Sequence, residues 1–500
     1  MSACNFIRLA NSAAALTFAA LVSGAAVAEE TSEAVTRVEL QALVERLNRL
    51  EAENRAQAER IRELEARAIS SAPATIVVNA ATDAASVSPA AADCSAAPVS
   101  AADAEKNARL LTPLTAGGLK FTPYGTLAFE AIHSTRGTVQ DIYSDWVLPP
   151  SSQGYRSHNS CFSVQDSTFG VDFETPESYH GWRFTGKAEF DLSGGANAND
   201  YQIMWRHAYL TAEHESGWSI LIGQTWHLWK MFVPNNTEGA WLEQCGHPYR
   251  RSPQLRVTKV WNFEDESSLE VRFGILKNGR GMRRDRDRDG VEDNTASAWP
   301  LFEAAAFYKR PAFWTAGDEN GHHAQWGFGV SGMYGRERCY RYSEALDSFG
   351  AADEYNLGMI MISGTLPVTD RMKLTGLFFA GENLAEIQAG IGQSVGFRSL
   401  AEKGKEVPTL GGFLDFSWAF LDDWEFICGY GFDSPTIDDD YTNGLDYGGI
   451  THNDRCYFDL AYRINANLRL TIEYARLTTA YRTEGTVHSD RFQFAAFYDF

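Results

Sequence analysis

The feature that most constrains this chain is a two-residue alternation that returns again and again and is sharpest near its carboxyl end. Across 491–500, Phe492, Phe494, Ala496, Tyr498 and Phe500 fall on one face of an extended strand, with Arg491, Gln493 and Asp499 on the other and Ala495 and Phe497 between them. From 182 to 192 the pattern is stricter. Trp182, Phe184, Ala188, Phe190 and Leu192 face one way, and Arg183, Thr185, Lys187, Glu189 and Asp191 the other. Such a segment suits a soluble sheet with a core on one side, or a tilted membrane strand with lipid outside and water inside. Past the amino-terminal leader there is no apolar run of the about eighteen residues that a spanning helix needs. A chain of this kind that enters a membrane therefore does so as a closed barrel, because only closure pairs every backbone group.

Sixteen strands are predicted between residue 110 and the end: near 119–133, 161–174, 182–192, 203–214, 217–226, 255–263, 267–276, 300–310, 323–334, 354–366, 370–380, 409–420, 424–433, 454–464, 467–480 and 490–500. Short turns, such as 213–217, 263–267, 367–370, 421–423 and 464–467, alternate with long loops near 134–160, 227–253, 277–299, 335–353, 381–408 and 434–453. That rhythm is the one expected of short periplasmic turns and long outside loops, with connector 311–322 longer than it allows. The expected fold is thus an all-β transmembrane barrel of about sixteen antiparallel strands over 110–500, with both ends on the periplasmic side. Its final aromatic residue, Phe500, resembles the last strand of bacterial outer-membrane barrel proteins, which the insertion machinery reads.

Upstream, 1–28 reads as a secretory signal peptide, with Arg8, an apolar middle and Ala26-Val27-Ala28. Within 29–69, Leu40, Leu47, Asn54, Ile61 and Ala68 take a positions, and Leu43, Leu50, Gln57 and Leu64 take d positions. Arg46 with Glu51, and Arg60 with Glu65, make g-to-e′ pairs of opposite sign. A short parallel coiled coil in the periplasm, and hence a homo-oligomer, follows. Residues 70–109, rich in Ala, Ser and Pro, read as a flexible linker. The formal charge of −21 argues against nucleic acid as a partner.

The loop 227–253 follows the fifth strand, contains Pro234 and Pro248, and is the expected constriction of the lumen. Arg250 and Arg251 at its end, with Arg183, Lys187, Arg206, Arg256, Arg272, Arg463 and Arg469, and with Arg455 and Arg491, fall opposite the apolar residues of their strands. Guanidinium groups lining water bind carboxylates bidentately and ease anions through a narrow passage. The alternative is a charge ladder in which they balance Glu189, Asp191, Glu270, Asp459 and Glu473. Asp285, Asp287, Asp289 and Asp293, around Gly290, set carboxylates as a loop-type calcium site does, although Arg283, Arg284, Arg286 and Arg288 could neutralise them instead. No other cofactor is expected. The histidines form no HExxH or zinc-finger spacing, and no nucleophile elbow, P-loop or dinucleotide fingerprint appears. Of seven cysteines, Cys161 and Cys245 are a candidate disulfide that would pin the constriction loop.

Ser167-Thr168-Phe169-Gly170, Asp191-Leu192-Ser193-Gly194-Gly195, Arg206-His207-Ala208-Tyr209 and Gly223-Gln224-Thr225-Trp226 resemble the DcaP-type outer-membrane porins, with His227 in place of that family's serine. The resemblance implies a sixteen-stranded trimeric porin with a periplasmic coiled coil, linked to uptake of negatively charged solutes such as dicarboxylates. The sequence therefore points to an outer-membrane porin, embedded in lipid, that passes small hydrophilic solutes with a mild anion preference. The alternative is a structural anchor joining the membrane to the cell wall, and an outer-membrane hydrolase is a weaker third reading.

Overall fold

The computed structural model describes residues 113–116, 118–175, 178–194, 201–237, 241–248, 250–278, 296–297, 299–312, 325–343, 348–398, 402–436 and 449–500. The signal peptide, coiled coil and linker lie outside the described residues, as do the aspartates of the calcium-type loop and all of connector 311–322 beyond residue 312.

Sixteen antiparallel strands follow one another around a closed wall. They are β1 (Leu119–Ser134), β2 (Asn159–Ser163 with Thr168–Glu174), β3 (Trp182–Asp191), β4 (Met204–His214), β5 (Trp218–Trp226), β6 (Arg251–Asn262), β7 (Ser268–Leu276) and β8 (Leu301–Pro311). The second half comprises β9 (Gln325–Ser343), β10 (Ser348–Pro367), β11 (Met372–Glu382), β12 (Pro408–Leu421), β13 (Trp424–Pro435), β14 (Ile450–Arg463), β15 (Leu468–Tyr481) and β16 (Gly485–Asp499). Closure comes from β1 on β16, in register from Thr126 opposite Asp499 to Ser134 opposite Arg491. The break in β2 would leave Ala128 of β1, paired with Phe497 of β16 on one side, without a partner on the β2 side. Ser167 repairs it, its hydroxyl accepting from the Ala128 N–H (3.0 Å) and donating to the Ala128 carbonyl (3.3 Å).

All sixteen expected strands are present. The expectation that fails is the loop near 335–353, because β9 continues to Ser343 and β10 resumes at Ser348. Register runs through this extension from Gly335 opposite Leu357 to Cys339 opposite Asp353. The sequence hides it because the outward residues turn polar beyond Tyr334, as they must where a strand leaves lipid.

The alternation sorts the two faces. Phe184, Leu210, Ile222, Phe273, Val330, Ile362, Leu414, Phe458, Ile472 and Phe492 are exposed on the outer wall. Trp218, Trp261, Phe263 and Trp418 stand exposed beside the short turns, and Trp299 and Tyr334 towards the long loops. Along β9 the girdles are marked by Trp326 and Tyr334. Eight residues at about 3.3 Å each, tilted by about 40°, span on the order of 20 Å, close to the about 25 Å apolar band of an outer-membrane barrel. No helix among the described residues is long and apolar enough to cross a membrane.

The inner face divides unevenly. Strands β14 to β16, β1, β3 and β4 turn buried charged and polar groups inward: Arg455, Asp459, Glu473, Arg491, Gln493, Glu130, Glu189, Asp191 and Arg206. Strands β8 to β13 present mostly apolar ones, including Phe307, Met333, Leu357, Met359, Met361, Leu377, Phe379, Phe413 and Ile427, which form one cluster with Leu228, Leu242, Ile387 and Ile391 of the long loops. The lumen is therefore not wet all round. One side is a dry core that holds loops against the wall by apolar burial, worth about 1.5–3 kcal/mol per large side chain.

Candidate channel constriction

The β5–β6 loop (227–250) enters the barrel from its first residue. Both ring nitrogens of His227 are held: Nδ1 lies 2.5 Å from Glu303 Oε1 on β8, and Nε2 lies 2.9 Å from Ser252 Oγ on β6. The Leu228 N–H donates to Glu303 Oε2 (2.9 Å), and Arg272 of β7 donates to the Leu228 carbonyl (2.9 Å). The order serine, histidine, glutamate is that of an acyl-transfer triad. Ser252 is only 3% exposed, however, and sealed under the loop that the network holds, so it anchors and does not react. Sequence spacing gave no hint of it, since its members stand on two strands and a loop.

The loop then crosses to the far wall. Asn235 donates from its N–H to Asp415 Oδ2 (3.2 Å) and from Nδ2 to Asp415 Oδ1 (2.5 Å) on β12. Thr237 donates from its N–H to Glu473 Oε2 of β15 (2.9 Å), and from its hydroxyl to Asp459 of β14. On the return the backbone lies against β12 and β13. A Cβ on Gly246, whose φ is +109°, would meet the Gly412 carbonyl oxygen at 2.1 Å, and one on Gly431 would meet the Cys245 carbonyl oxygen at 2.2 Å. Glycine at both positions is what permits this approach.

Two other loops fill the outer lumen. The β1–β2 loop (135–158) is seated on two buried arginines: Arg455 donates to the Ser144 carbonyl (2.5 Å), and Arg491 donates to the carbonyls of Asp141 (3.3 Å) and Ile142 (2.5 Å). The β11–β12 loop (383–407) meets the constriction loop where Gly392 N–H donates to Gln244 Oε1 (3.0 Å). Burial pushes the Asp145 carboxyl up to about 7 against the opposing pull of Arg455 and Gln140. Burial, reinforced by Asp145, also raises Glu243, while burial and nearby Lys230 lower His247 to about 3.

The nine expected selectivity cations are spread along this path. Arg183 pairs with Glu213 directly across the β3–β4 ladder (2.7 Å), and Lys187 with Asp172 across β2–β3 (3.3 Å), with its ammonium 4.6 Å from the Tyr124 ring. Arg206 is clamped by Glu189 (2.5 Å) and Asp191 (2.9 Å), and Arg272 by Glu270 (2.6 Å). These four form a charge ladder along the wall. Arg250 donates to the Glu386 carbonyl (2.7 Å), and Arg251 lies 4.4 Å from the Trp226 ring that Lys230 covers at 3.2 Å. Towards the periplasmic end, Arg256 and Lys309 join Arg272 around the single carboxylate Glu270. Arg463 stands opposite Arg469, and with Lys373 both surround Glu425. Lys309 and Lys373 were not singled out from the sequence, though their inward parity marks them.

The disulfide between Cys161 and Cys245 is not formed; both are free thiols. Their sulfurs instead face carbonyls of the β1–β2 loop, Cys161 that of Asp141 and Cys245 that of Asp145 (both 3.8 Å). Among the described residues no cluster of His, Cys, Asp or Glu is arranged to hold a metal ion.

No family model matches this chain, and no curated protein matches it by sequence. Its fold is similar to the outer membrane channel DcaP of Acinetobacter baumannii, with a TM-score of 0.60 at 17% identity over 78% of this chain and 100% of that one. Weaker likenesses are an anion-selective porin from Comamonas acidovorans (TM-score 0.47, 9% identity, 76% of this chain and 100% of that one) and OmpT of Vibrio cholerae (TM-score 0.45, 11% identity, 78% and 100%).

Proposed function

We propose that this chain is an outer-membrane porin through which small hydrophilic solutes diffuse passively, with a preference for anions such as dicarboxylates. The observation that carries this reading is the β5–β6 loop strung across the lumen from His227 to Asp415, Asp459 and Glu473. A barrel serving only as a membrane foot has no use for an internal bar tied at both ends, whereas a channel needs one to set its width. Anion preference is supported by the periplasmic half of the lumen, where Arg272, Lys309 and Arg256 act on Glu270, and Lys373, Arg469 and Arg463 outnumber the carboxylates Glu425 and Asp415. The heptads of 29–69 support assembly as a homo-oligomer with a periplasmic coiled coil, and the resemblance to DcaP-type porins makes a trimer the state proposed.

A second reading, an anchor reaching the cell wall, is favoured by the dry packing of loops in the outer half of the lumen. Planar-bilayer recording of the purified protein separates the two. Stepwise openings in threes, reversal potentials favouring anions, and current that succinate blocks support the trimeric porin. A silent barrel supports the anchor, and a cation-favouring reversal potential overturns the anion preference.

A further inference from the structure

The outer wall is interrupted where β2 breaks. Between Glu130 opposite Ser163 and Thr126 opposite Thr168, three residues of β1 face four of β2, and the extra residue parts the two strands. Over the gap lies a hollow of about 520 Å³, lined chiefly by Leu127, Phe129, Val164, Phe169, Ala496 and Tyr498. It sits at membrane depth. Phe129 pairs with Ala496, which lies one outward position from Tyr498 near the short turns and two from Phe492 towards the long loops. The backbone in the gap is irregular: the Ser167 N–H turns back to the Val164 carbonyl (3.0 Å), and the Gln165 carbonyl accepts from the Leu192 N–H (3.3 Å). Irregular backbone at that depth is tolerated under a cover of protein or water and not against lipid. The apolar lining repels water, which leaves protein.

The heptads upstream of β1 bring copies of this chain together, so a second copy is the protein at hand. A ring of three is heterologous: each copy offers two different patches, one to each neighbour. The two neighbours lie in directions about 60° apart, a sixth of the barrel, so the patches are about 2.7 strands apart on a wall of sixteen. Counted from β1 at the centre of the hollow, the complementary patch falls near β4 or β14. Ile203 and Trp205, at the start of β4, stand 62% and 55% exposed, whereas Phe458 and Leu460 of β14 are 45% and 36% exposed. Trp205 also lies on the rung that runs through Phe190 from Phe169, at the periplasmic lip of the hollow. Surrounded by lipid, helices and strands gain nothing from apolar burial alone, so a projecting ring that fills a hollow is what favours contact between copies.

We propose that the hollow at the β2 break is a socket between copies of this chain, filled by Ile203 and Trp205 of a neighbouring copy. The socket rests on the three-copy assembly proposed above and not on conduction, so a barrel without current would leave it standing. It gives the extra residue in β2 a purpose: the strands part there to receive a side chain from outside.

The test is cross-linking of the full-length protein in membranes, in a variant carrying both Trp205→Cys and Ala496→Cys, with a short bismaleimide that adds one thiol at each end. Within one barrel β4 and β16 are four strand spacings apart, about 19 Å, too far for the reagent, so a link between positions 205 and 496 joins two copies. Peptide masses identify that link against the native cysteines, and heat-modifiable migration shows the barrel folded. The double variant should yield chains linked in threes, with at least about tenfold more of the 205–496 link than a control pair, Trp205→Cys with Leu414→Cys, gives at 205–414, because held thiols meet at high effective concentration. An equal mixture of the two single variants should give the 205–496 link in pairs of chains. Native mass spectrometry of the wild type separates the ways to fail. Three copies without the 205–496 link overturn the socket and leave the hollow to lipid, whereas a single copy overturns the trimer and the socket with it.

Discussion

The backbone N–H of Thr237 donates to Oε2 of Glu473 at 2.9 Å, joining the tip of the constriction loop to the wall opposite its root. This contact and its neighbours at Asp415 and Asp459 are hydrogen bonds to carboxylates, worth roughly 1.5–3 kcal/mol each. Asn235→Ala with Thr237→Val removes two side-chain donors from the loop and leaves the wall charges in place. Single-channel conductance should rise roughly twofold with added noise, and the unfolding midpoint should fall by roughly 5 °C, the apolar packing of the loop keeping the barrel folded. Unchanged conductance would mean that packing alone sets the bar.

Much of this was legible because membrane strands advertise themselves. Phe184, Phe190 and Lys187 alternate as lipid and lumen require, so strand number and facing follow from the residues. The position of the inward-folding loop was legible too, from its length and place after the fifth strand. The register was not: that Lys187 lies opposite Asp172, or Arg463 opposite Arg469, depends on how neighbouring strands are staggered. The dry side of the lumen was also hidden, since Leu357, Met359, Ile360, Met361 and Ile362 are apolar on both faces and show no alternation. Arg336 and Arg338, polar beyond the lipid band, made a strand look like a loop.

The anchor at the loop's root gives a stability prediction. Glu303→Ala strips partners from the Leu228 N–H and His227 Nδ1 at once, both buried, at about 1–3 kcal/mol per stranded group. Ser252→Ala removes one hydroxyl donor and should cost about 1 kcal/mol. Urea unfolding should rank Glu303→Ala well below Ser252→Ala. A fluorophosphonate should leave Ser252 unlabelled; labelling would show that the serine is reachable and that the network is more than an anchor.

The free thiols report on loop position. Cys161 lies partly exposed near the mouth, whereas Cys245 is fully buried beneath the returning loop. A polar maleimide should modify Cys161 within minutes in the folded protein and Cys245 at least about a hundredfold more slowly, at the rate set by local opening. Asn235→Ala with Thr237→Val should narrow that gap. Equal reactivity in wild type would place the returning loop away from the wall.

Asp145 predicts a pH dependence with a definite sign. Its carboxyl titrates at about 7 in the folded protein, against about 3.9 in an unfolded chain, so between those values the folded state holds the extra proton. The seat of the β1–β2 loop is therefore most secure below about pH 4 and loses that contribution as pH rises through about 7. The charged form is disfavoured by burial, and Arg455, the cation that faces it, is already donating to the Ser144 carbonyl. Above neutrality the loop should loosen and conductance should rise, with the midpoint near 7. Asp145→Asn, neutral throughout, should hold the low-pH conductance up to pH 8, whereas His247→Gln should leave the midpoint in place because His247 stays neutral until about pH 3. A midpoint that survives Asp145→Asn would assign the titration to another group.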